Sequence, residues 1–317
     1  MGRLFLFTKL PDGKQAKSLS RSNQTFVRFV FMTDFDRQLQ HFIGEALKED
    51  VGDGDHSTLS CVPPGSRGKA DLKIKQGGIL AGIMVAERIF HHQEVLADFA
   101  PLKKDGDEIK AGEKAFEIVA SVHSILQCER LVLNCMQRMS GIATLTRLYA
   151  DKLAGYKTRL LDTRKTTPNF RLLEKEAVRI GGGINHRFGL YDMIMLKDNH
   201  IDFCGGIENA INRAYEYVRT QRPDLKIEVE TRSIEDVKKA VAVGKGKVFR
   251  IMMDNFIPEK ISEALIIIHG QFETEASGGI TLENIKEYAR TGVDYVSVGA
   301  LIHQARSLDM SLKAVIV

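Results

Sequence analysis

The stretch Met193-Ile194-Met195-Leu196-Lys197-Asp198-Asn199-His200 decides the fold, because a short apolar run passes directly into polar and charged residues. Five further apolar runs end in the same way, and helical stretches separate them. Their junctions are Leu161/Asp162, Val229/Glu230, Met253/Asp254, Ala276/Ser277 and Val298/Gly299. Strands that alternate with helices indicate an α/β barrel, in which the strand ends meet on one rim and carry the active site.

The predicted fold class is therefore α/β, with an incomplete, open barrel of about six parallel strands and a smaller N-terminal α+β domain. A closed barrel of this type has eight strands, so one side of this one needs cover from elsewhere. We expect residues 146–300 to form the barrel and residues 32–145 to form the α+β domain. A last helix over residues 301–317 is expected to join that small domain.

The positive charge of the chain is concentrated at its beginning. The net charge is +4, and residues 1–31 contain six Lys or Arg against one Asp. The rest is nearly neutral, so the charge gives no reason to expect nucleic-acid binding. The apolar run within residues 1–31, Leu4 to Phe7, is too short for a signal-peptide core or a membrane span. We interpret residues 1–31 as a basic disordered extension or a mis-assigned start, with organellar targeting as the alternative, and we expect a cytoplasmic protein.

The four cysteines, at positions 61, 128, 135 and 204, show no CxxC spacing. Cys128 and Cys135 are seven residues apart on a predicted helix, which is a spacing typical of core positions. We therefore expect free, buried, unreactive thiols in a reducing compartment. A cysteine nucleophile is the alternative.

Cationic side chains cluster at three places near the predicted rim. Arg164 and Lys165 follow one strand, Lys197 ends another, and Arg187 with His186 follows the run Gly181-Gly182-Gly183. The guanidinium fork of arginine matches a carboxylate or a phosphate. These residues predict a site for a polyanion. Solvated loop cations and a structural histidine are the alternatives.

Acidic residues and glycine turns end the remaining strands. Glu230 and Asp254 close neighbouring strands, where they suit Mg²⁺ bound through water, and sugar hydroxyls; rim salt bridges are the alternative. Ser277-Gly278-Gly279 and Val298-Gly299-Ala300 each precede a predicted helix. Glycine turns at helix N-termini bind phosphate through backbone N–H groups, and barrel enzymes place such sites on their last strands.

The chain resembles the quinolinate phosphoribosyltransferases, the decarboxylating nicotinate-nucleotide pyrophosphorylases. The resemblance covers roughly Asp34 to the C-terminus. It is carried by Glu129-Arg130, Asp162-Thr163-Arg164-Lys165-Thr166-Thr167-Pro168, Gly181 to Arg187, Lys197 to His200, Glu228-Val229-Glu230, Asp254-Asn255, Ser277 to Gly279 and Gly292 to Ala300. Residues 1–31 have no counterpart in the family pattern.

The resemblance implies phosphoribosyl transfer from phosphoribosyl pyrophosphate to quinolinate, with loss of CO₂, in NAD biosynthesis. It implies that Arg164, His186, Arg187 and Lys197 hold the two carboxylates of quinolinate. Lys165 and Lys197 would face the phosphates, and Thr163 would line the same site. Catalysis would depend on Glu230, Asp254, Lys165 and Lys197, with Glu230 and Asp254 also serving Mg²⁺ and the ribose. Residues 277–279 and 298–300 would bind the 5′-phosphate.

The resemblance also implies a homodimer in which Arg130 reaches the active site of the partner subunit. A related enzyme, such as a nicotinate phosphoribosyltransferase, is the alternative activity. The number of cations favours a diacid substrate. A different class of function, an RNA-binding or scaffold protein that uses residues 1–31, would show salt-dependent RNA binding and no turnover.

Overall fold

The computed structural model describes residues 33–315, so the predictions for residues 1–31 lie outside it. Its N-terminal part consists of three helices and the strands of two antiparallel sheets, followed by one long helix. In chain order these elements are α1 (Asp34–Val51), α2 (His56–Cys61), β1 (Arg67–Ile74), β2 (Gly78–Ile79), α3 (Ile83–Gln93), β3 (Asp98–Pro101), β4 (Glu108–Ile109), β5 (Lys114–Ser121) and α4 (Val122–Lys152).

The remainder alternates strands with helices, as the sequence predicts. The elements are β6 (Arg159–Leu161), α5 (Arg171–Ile180), β7 (Ile194–Leu196), α6 (Asp198–Phe203), α7 (Ile207–Gln221), β8 (Ile227–Thr231), α8 (Ile234–Gly244), β9 (Arg250–Asp254), α9 (Pro258–Ile268), β10 (Glu273–Ser277), α10 (Ile285–Arg290), β11 (Tyr295–Ser297), α11 (Ala300–His303) and β12 (Met310–Val315).

Strands β6 to β11 form one parallel sheet in the order β6-β11-β10-β9-β8-β7. The first and last strands of this order do not pair with each other, so the barrel is open between β6 and β7. All five residues of β8 are buried, as in strands covered on both faces. The predicted open barrel of six parallel strands, with an antiparallel N-terminal domain, is confirmed.

Helix α4 connects the two parts of the molecule. Its N-cap is Ser121, whose hydroxyl oxygen accepts the main-chain N–H of Ser124 at 3.0 Å. Its 31 residues extend over roughly 46 Å at 1.5 Å per residue. The helix packs against both α3 and α5, and its Val132, Met136 and Met139 are buried.

The prediction of a helix over residues 301–317 is wrong. Helix α11 ends at His303, and β12 pairs antiparallel with β1, from Ile74 opposite Met310 to Lys69 opposite Val315. Met310 and Leu312 are buried and alternate with less buried residues, which is the period of a strand. The segment does join the small domain, but it does so as the edge strand of the order β12-β1-β5-β3.

The chain that leads to β12 crosses α4 at Gly141. A Cβ atom at this position would collide with the main-chain oxygen of Arg306. Just beyond, the N–H of Leu308 donates to the carbonyl of Gln137 at 3.0 Å. The glycine therefore allows this connecting segment to approach α4 closely. Within residues 33–315, no helix combines the length and apolar character needed to cross a bilayer.

Candidate active site

A cavity of about 1000 Å³ lies at the carboxyl ends of the barrel strands. It is lined by every residue predicted for the site except Arg130: Thr163, Arg164, Lys165, His186, Arg187, Lys197, Glu230, Asp254, Ser277, Gly278, Gly279, Val298, Gly299 and Ala300. A second cavity of about 1050 Å³, between α1 and residues 167–172, contains none of them. Residues from six different strand ends thus share one space.

The cationic side of the cavity is formed by Arg164, Arg187 and Lys197. The buried Nε of Arg164 has no hydrogen-bond partner. Burial and the nearby charge of Arg164 lower the pKa of Arg187, whose Nη1 donates to the carbonyl of Met193 at 3.1 Å. Two guanidinium groups held together, with a buried donor unpaired, are suited to an anion placed between them.

The acidic side is formed by Glu230 at the end of β8 and Asp254 at the end of β9. Glu230 is buried, and its Oε2 lies 3.0 Å from Lys197 Nζ. Asp254 is half-buried, and its Oδ2 accepts a hydrogen bond from the side chain of Asn255 at 2.6 Å. Two carboxylates with open space before them fit a Mg²⁺ ion that keeps several waters and binds substrate phosphates, since Mg²⁺ rarely uses all-protein cages.

Two glycine turns close the cavity next to the acids. Gly278 has φ 88°, and a side chain there would collide with Asn255. A side chain at Gly299 would meet Lys165 at 2.9 Å and His303 at 3.3 Å. Only the second turn directly precedes a helix, because α10 begins at Ile285, six residues after Gly279. The prediction of a helix immediately after Ser277-Gly278-Gly279 is therefore wrong.

A buried charged cluster adjoins the cavity, and two of its members, His186 and Glu275, line it. His186 Nε2 lies 3.1 Å from Glu228 Oε2 and 3.4 Å from Glu275 Oε2. Arg250 Nη1 lies 2.9 Å from the same oxygen of Glu275 and 3.5 Å from that of Glu228. The three residues His186, Glu228 and Glu275 offer ligand atoms close enough for a metal ion. Because Arg250 already contacts both carboxylates, and its Nη2 also lies 3.0 Å from Glu273 Oε2, the cluster is better described as a network of ion pairs.

Opposing influences act on the His186 imidazole. Burial disfavours its charged form, and the N–H of Arg187 donates to Nδ1 at 2.7 Å. Glu228 and Glu275 favour the charged form, and they raise the pKa of His186 to about 9. Burial, with the Glu275 charge beside it, raises the pKa of Glu228. His186 therefore lines the cavity, and the carboxylates of Glu228 and Glu275 hold its ring through Nε2.

The loop that carries His186 is tied to the loop that carries Arg164. Oδ1 of Asp162 accepts two hydrogen bonds, one from Lys175 Nζ at 2.6 Å and one from the main-chain N–H of His186 at 2.7 Å. Lys175 Nζ also donates to the carbonyl of His186 at 3.0 Å. The Lys175 and Asp162 side chains are almost completely buried. This ion pair sets the distance between the two groups of cations.

Several residues that line the cavity were not predicted. Among them are the polar Glu275 and His303 and the apolar or aromatic Tyr149, Met195 and Met252. Glu275 stands two residues before Ser277, so strand alternation places it on the same face and could have revealed it. His303 stands four residues after Gly299, one helical turn away, but α11 is too short to be recognised from its spacing.

Arg130 does not line this cavity. It is exposed on α4. Within one chain, the structure does not bring Arg130 together with the other predicted site residues.

The cysteines do not form a catalytic group in this cavity. All four are free thiols: Cys128 and Cys135 are buried, Cys61 is exposed and Cys204 is partly exposed. Burial raises the pKa of Cys128 and of Cys135 to about 12, which keeps both protonated and unreactive. The expectation that all four are buried is wrong for Cys61 and Cys204, but none of the four lines the cavity.

The open parallel barrel and its charged cavity define the class: an α/β-barrel protein whose rim accepts polyanions. Two family models match almost all of the described chain. "Quinolinate phosphoribosyl transferase, N-terminal domain" matches residues 55–140, and "Quinolinate phosphoribosyl transferase, C-terminal domain" matches residues 142–313. The chain belongs to the quinolinate phosphoribosyltransferase family.

Individual relatives agree with this assignment. An Arabidopsis thaliana protein named nicotinate-nucleotide pyrophosphorylase (carboxylating), chloroplastic, is 42% identical over 288 residues, which are 87% of this chain and 82% of the relative. The crystal structure of NadC from Streptococcus pyogenes is 40% identical, has a TM-score of 0.82, and covers 90% of this chain and 100% of its own. Human nicotinic acid phosphoribosyltransferase, at 12% identity and a TM-score of 0.52, shares the fold alone.

Proposed function

We propose that this protein transfers the phosphoribosyl group of phosphoribosyl pyrophosphate to quinolinate, giving nicotinate mononucleotide, pyrophosphate and CO₂. The observation that supports this most strongly is the shared cavity, in which cations, a pair of acids and two glycine turns face one another. Membership of the family and relatives at about 40% identity support the same activity.

Quinolinate carries two adjacent carboxylates, and the cationic side of the cavity can satisfy both. The unpaired Nε of Arg164, the fork of Arg187 and the Nζ of Lys197 supply donors of the required charge. His186 lines the cavity beside them, and its ring accepts the main-chain N–H of Arg187. Met195 and Met252 give the pyridine ring an apolar surface.

The transfer requires no covalent intermediate with the protein. The pyridine nitrogen attacks C1 of the ribose as the bond from C1 to pyrophosphate breaks, and the electron pair leaves with pyrophosphate. Glu230 faces the positive charge that develops on the ribose. The C2–carboxylate bond then breaks, CO₂ leaves, the pyridinium stabilises the electron pair left on C2, and C2 takes up a proton. Arg164, Arg187 and Lys197 together form the quinolinate clamp. The clamp contributes mainly by holding the pyridine nitrogen in line with C1 of the ribose.

Glu230 and Asp254 would hold Mg²⁺ through water, and the ion would neutralise the leaving pyrophosphate. Lys165 would contact the same phosphates. The turns at Ser277-Gly278-Gly279 and Val298-Gly299-Ala300 would bind the 5′-phosphate through backbone N–H groups. A chelator in excess of Mg²⁺ should then suppress turnover, and added Mg²⁺ should restore it.

The test of the activity is product formation from purified full-length protein with both substrates and Mg²⁺. Nicotinate mononucleotide should appear and should depend on each component. Equimolar nicotinate should compete poorly, because one carboxylate leaves half of the clamp unpaired. Preferential use of nicotinate would favour the alternative enzyme, and no turnover of phosphoribosyl pyrophosphate would contradict both.

A homodimer with shared sites would explain both the open barrel and the position of Arg130. The exposed guanidinium of Arg130 lies outside the cavity of its own chain. In a partner subunit it would add a further cation to the quinolinate clamp. The dimer would also cover the side on which β6 and β7 fail to meet.

A cytoplasmic location remains a proposal, since the Arabidopsis relative is named as chloroplastic. Fluorescent fusions to the C-terminus of the full chain and of a variant that starts at Met32 would test it. Diffuse cytoplasmic signal from both would support it. Organellar signal from the full chain alone would instead assign a targeting role to residues 1–31.

A further inference from the structure

One largely buried ion pair contacts two of the chain segments that line the active-site cavity, although neither of its residues lines the cavity itself. Arg138 on α4 places Nε and Nη2 at 3.0 and 2.9 Å from Oε1 of Glu174 on α5. The Glu174 side chain is fully buried, and that of Arg138 is 23% exposed. Neither residue lines the cavity.

Glu174 anchors the loop that carries the cationic clamp. Its Oε2 accepts the main-chain N–H of Thr167 at 2.8 Å, and its Oε1 accepts the Thr167 hydroxyl at 2.9 Å. Thr167 follows Lys165 by two residues and Arg164 by three. The loop between β6 and α5 has no regular structure, so these two bonds fix the position of its far side.

Arg138 anchors the segment that follows the second glycine turn. Its Nη1 donates to the carbonyl of Ala305 and its Nη2 to that of Ile302, both at 2.8 Å. These carbonyls flank His303, which lines the cavity next to Gly299. Helix α11 has only four residues, and Ala305 lies just beyond it. The Ile302 carbonyl also accepts the main-chain N–H of Ala305 at 3.2 Å, so Arg138 adds a side-chain anchor to this short turn.

We propose that Arg138 and Glu174 are positioning residues that hold the quinolinate clamp and the phosphate-binding turn at a fixed separation. The expected change in kinetics rests on the proposed function. The fixed separation of the two segments does not. Arg138 can bridge both segments only because its fork contacts a carboxylate and two carbonyls at once. A lysine keeps the charge beside buried Glu174 but has no fork.

The informative variant is therefore Arg138→Lys, with Glu174→Gln as a second substitution of nearly the same shape. Asp71→Asn is the matched control, because Asp71 is a buried carboxylate paired with Lys114 at 2.6 Å in the antiparallel sheet, away from the cavity. Thermal unfolding establishes that each variant is folded. If Arg138→Lys does not fold, Glu174→Gln carries the test.

Hydrogen–deuterium exchange tests the structural part without any assumption about the reaction. In Arg138→Lys, amide exchange should accelerate both in residues 163–168 and in residues 300–305, while Asp71→Asn changes neither. Acceleration in only one of the two segments, or in neither, would overturn the coupling.

Kinetics test the consequence for the proposed function. A loss of folded protein lowers kcat and leaves KM unchanged, whereas displaced binding groups raise KM. We expect the KM values for quinolinate and for phosphoribosyl pyrophosphate to rise together, and kcat/KM to fall by on the order of 10²-fold. Unchanged KM values in a folded variant would overturn the kinetic role. If the unsubstituted protein forms no product, the proposed function fails, and the exchange data still decide the positioning role.

Discussion

Arg164 is the side chain whose surroundings most clearly require a ligand. Its Nε is buried and unpaired, and such a donor costs about 1–3 kcal/mol unless something accepts from it. Lys197 differs, because its Nζ already lies 3.0 Å from Glu230. Glu230 thus already neutralises Lys197, whereas Arg164 keeps a buried donor for an anion.

Replacing either cation should remove transition-state binding while leaving the fold intact. We expect Arg164→Ala and Lys197→Ala each to lower kcat/KM for quinolinate by on the order of 10²-fold or more. Arg219→Ala is the control, since Arg219 pairs with Glu216 on the exposed surface of α7. Near-normal turnover in either cavity variant would refute the clamp.

The His186 cluster predicts a pH dependence of stability with a definite sign. The pKa of His186 rises from 6.5 in the unfolded chain to about 9 in the folded protein. A raised pKa means that the folded state holds the proton more tightly, so this contribution is complete below pH 6.5 and is lost as the pH rises through 9. The free energy of unfolding should therefore fall between these values.

An NMR titration of the His186 ring carbons measures this directly. The midpoint should lie near pH 9, and Glu275→Gln should lower it because one of the two carboxylates is lost. A midpoint at or below 6.5 in the unsubstituted protein would show that burial and the Arg187 N–H outweigh the acids.

At the scale of elements, the packing of α4 against the segment before β12 requires a glycine at position 141. The Arg306 carbonyl occupies the space that a Cβ at Gly141 would need, and main-chain atoms on both sides limit relaxation. Alanine normally stabilises a helix by about 1 kcal/mol relative to glycine. At position 141 the collision of the alanine Cβ with the Arg306 carbonyl should outweigh this stabilisation.

We expect Gly141→Ala to lower the free energy of unfolding by about 1–3 kcal/mol. Gly44→Ala on α1 is the matched control, because its nearest neighbour would be His92 at an ordinary 3.9 Å. That variant should be neutral or slightly stabilised. Urea unfolding of both variants gives the comparison, and equal effects would contradict the close approach seen at Arg306.

At the scale of the whole molecule, the proposed homodimer with shared sites makes one chain half of the functional unit. Arg130→Ala and Lys197→Ala should each be nearly inactive, since each damages a different subunit's share of the same site. Co-expressed together, they should recover roughly a quarter of the normal activity, because mixed dimers contain one intact site. Activity no greater than that of the parents would contradict a shared site, as would normal activity of Arg130→Ala alone.

Local sequence was sufficient to predict the barrel rim but not the contacts between distant segments. Residues such as Lys197 and Asp254 follow apolar runs, and parallel strands bring such ends together whatever their distance in the chain. The strand at 310–315 could not be recognised in the same way, because its partner β1 lies more than 230 residues earlier. The link from Arg138 to Glu174 likewise depends on how α4 crosses α5.

Release of CO₂ tests the central claim most directly, because only a diacid held beside an activated sugar can lose the carboxylate next to the ring nitrogen in this way. Quinolinate labelled in its 2-carboxylate should release one CO₂ for each nicotinate mononucleotide formed, and only when phosphoribosyl pyrophosphate and Mg²⁺ are present. Absence of labelled CO₂, or its release without phosphoribosyl pyrophosphate, would contradict the account.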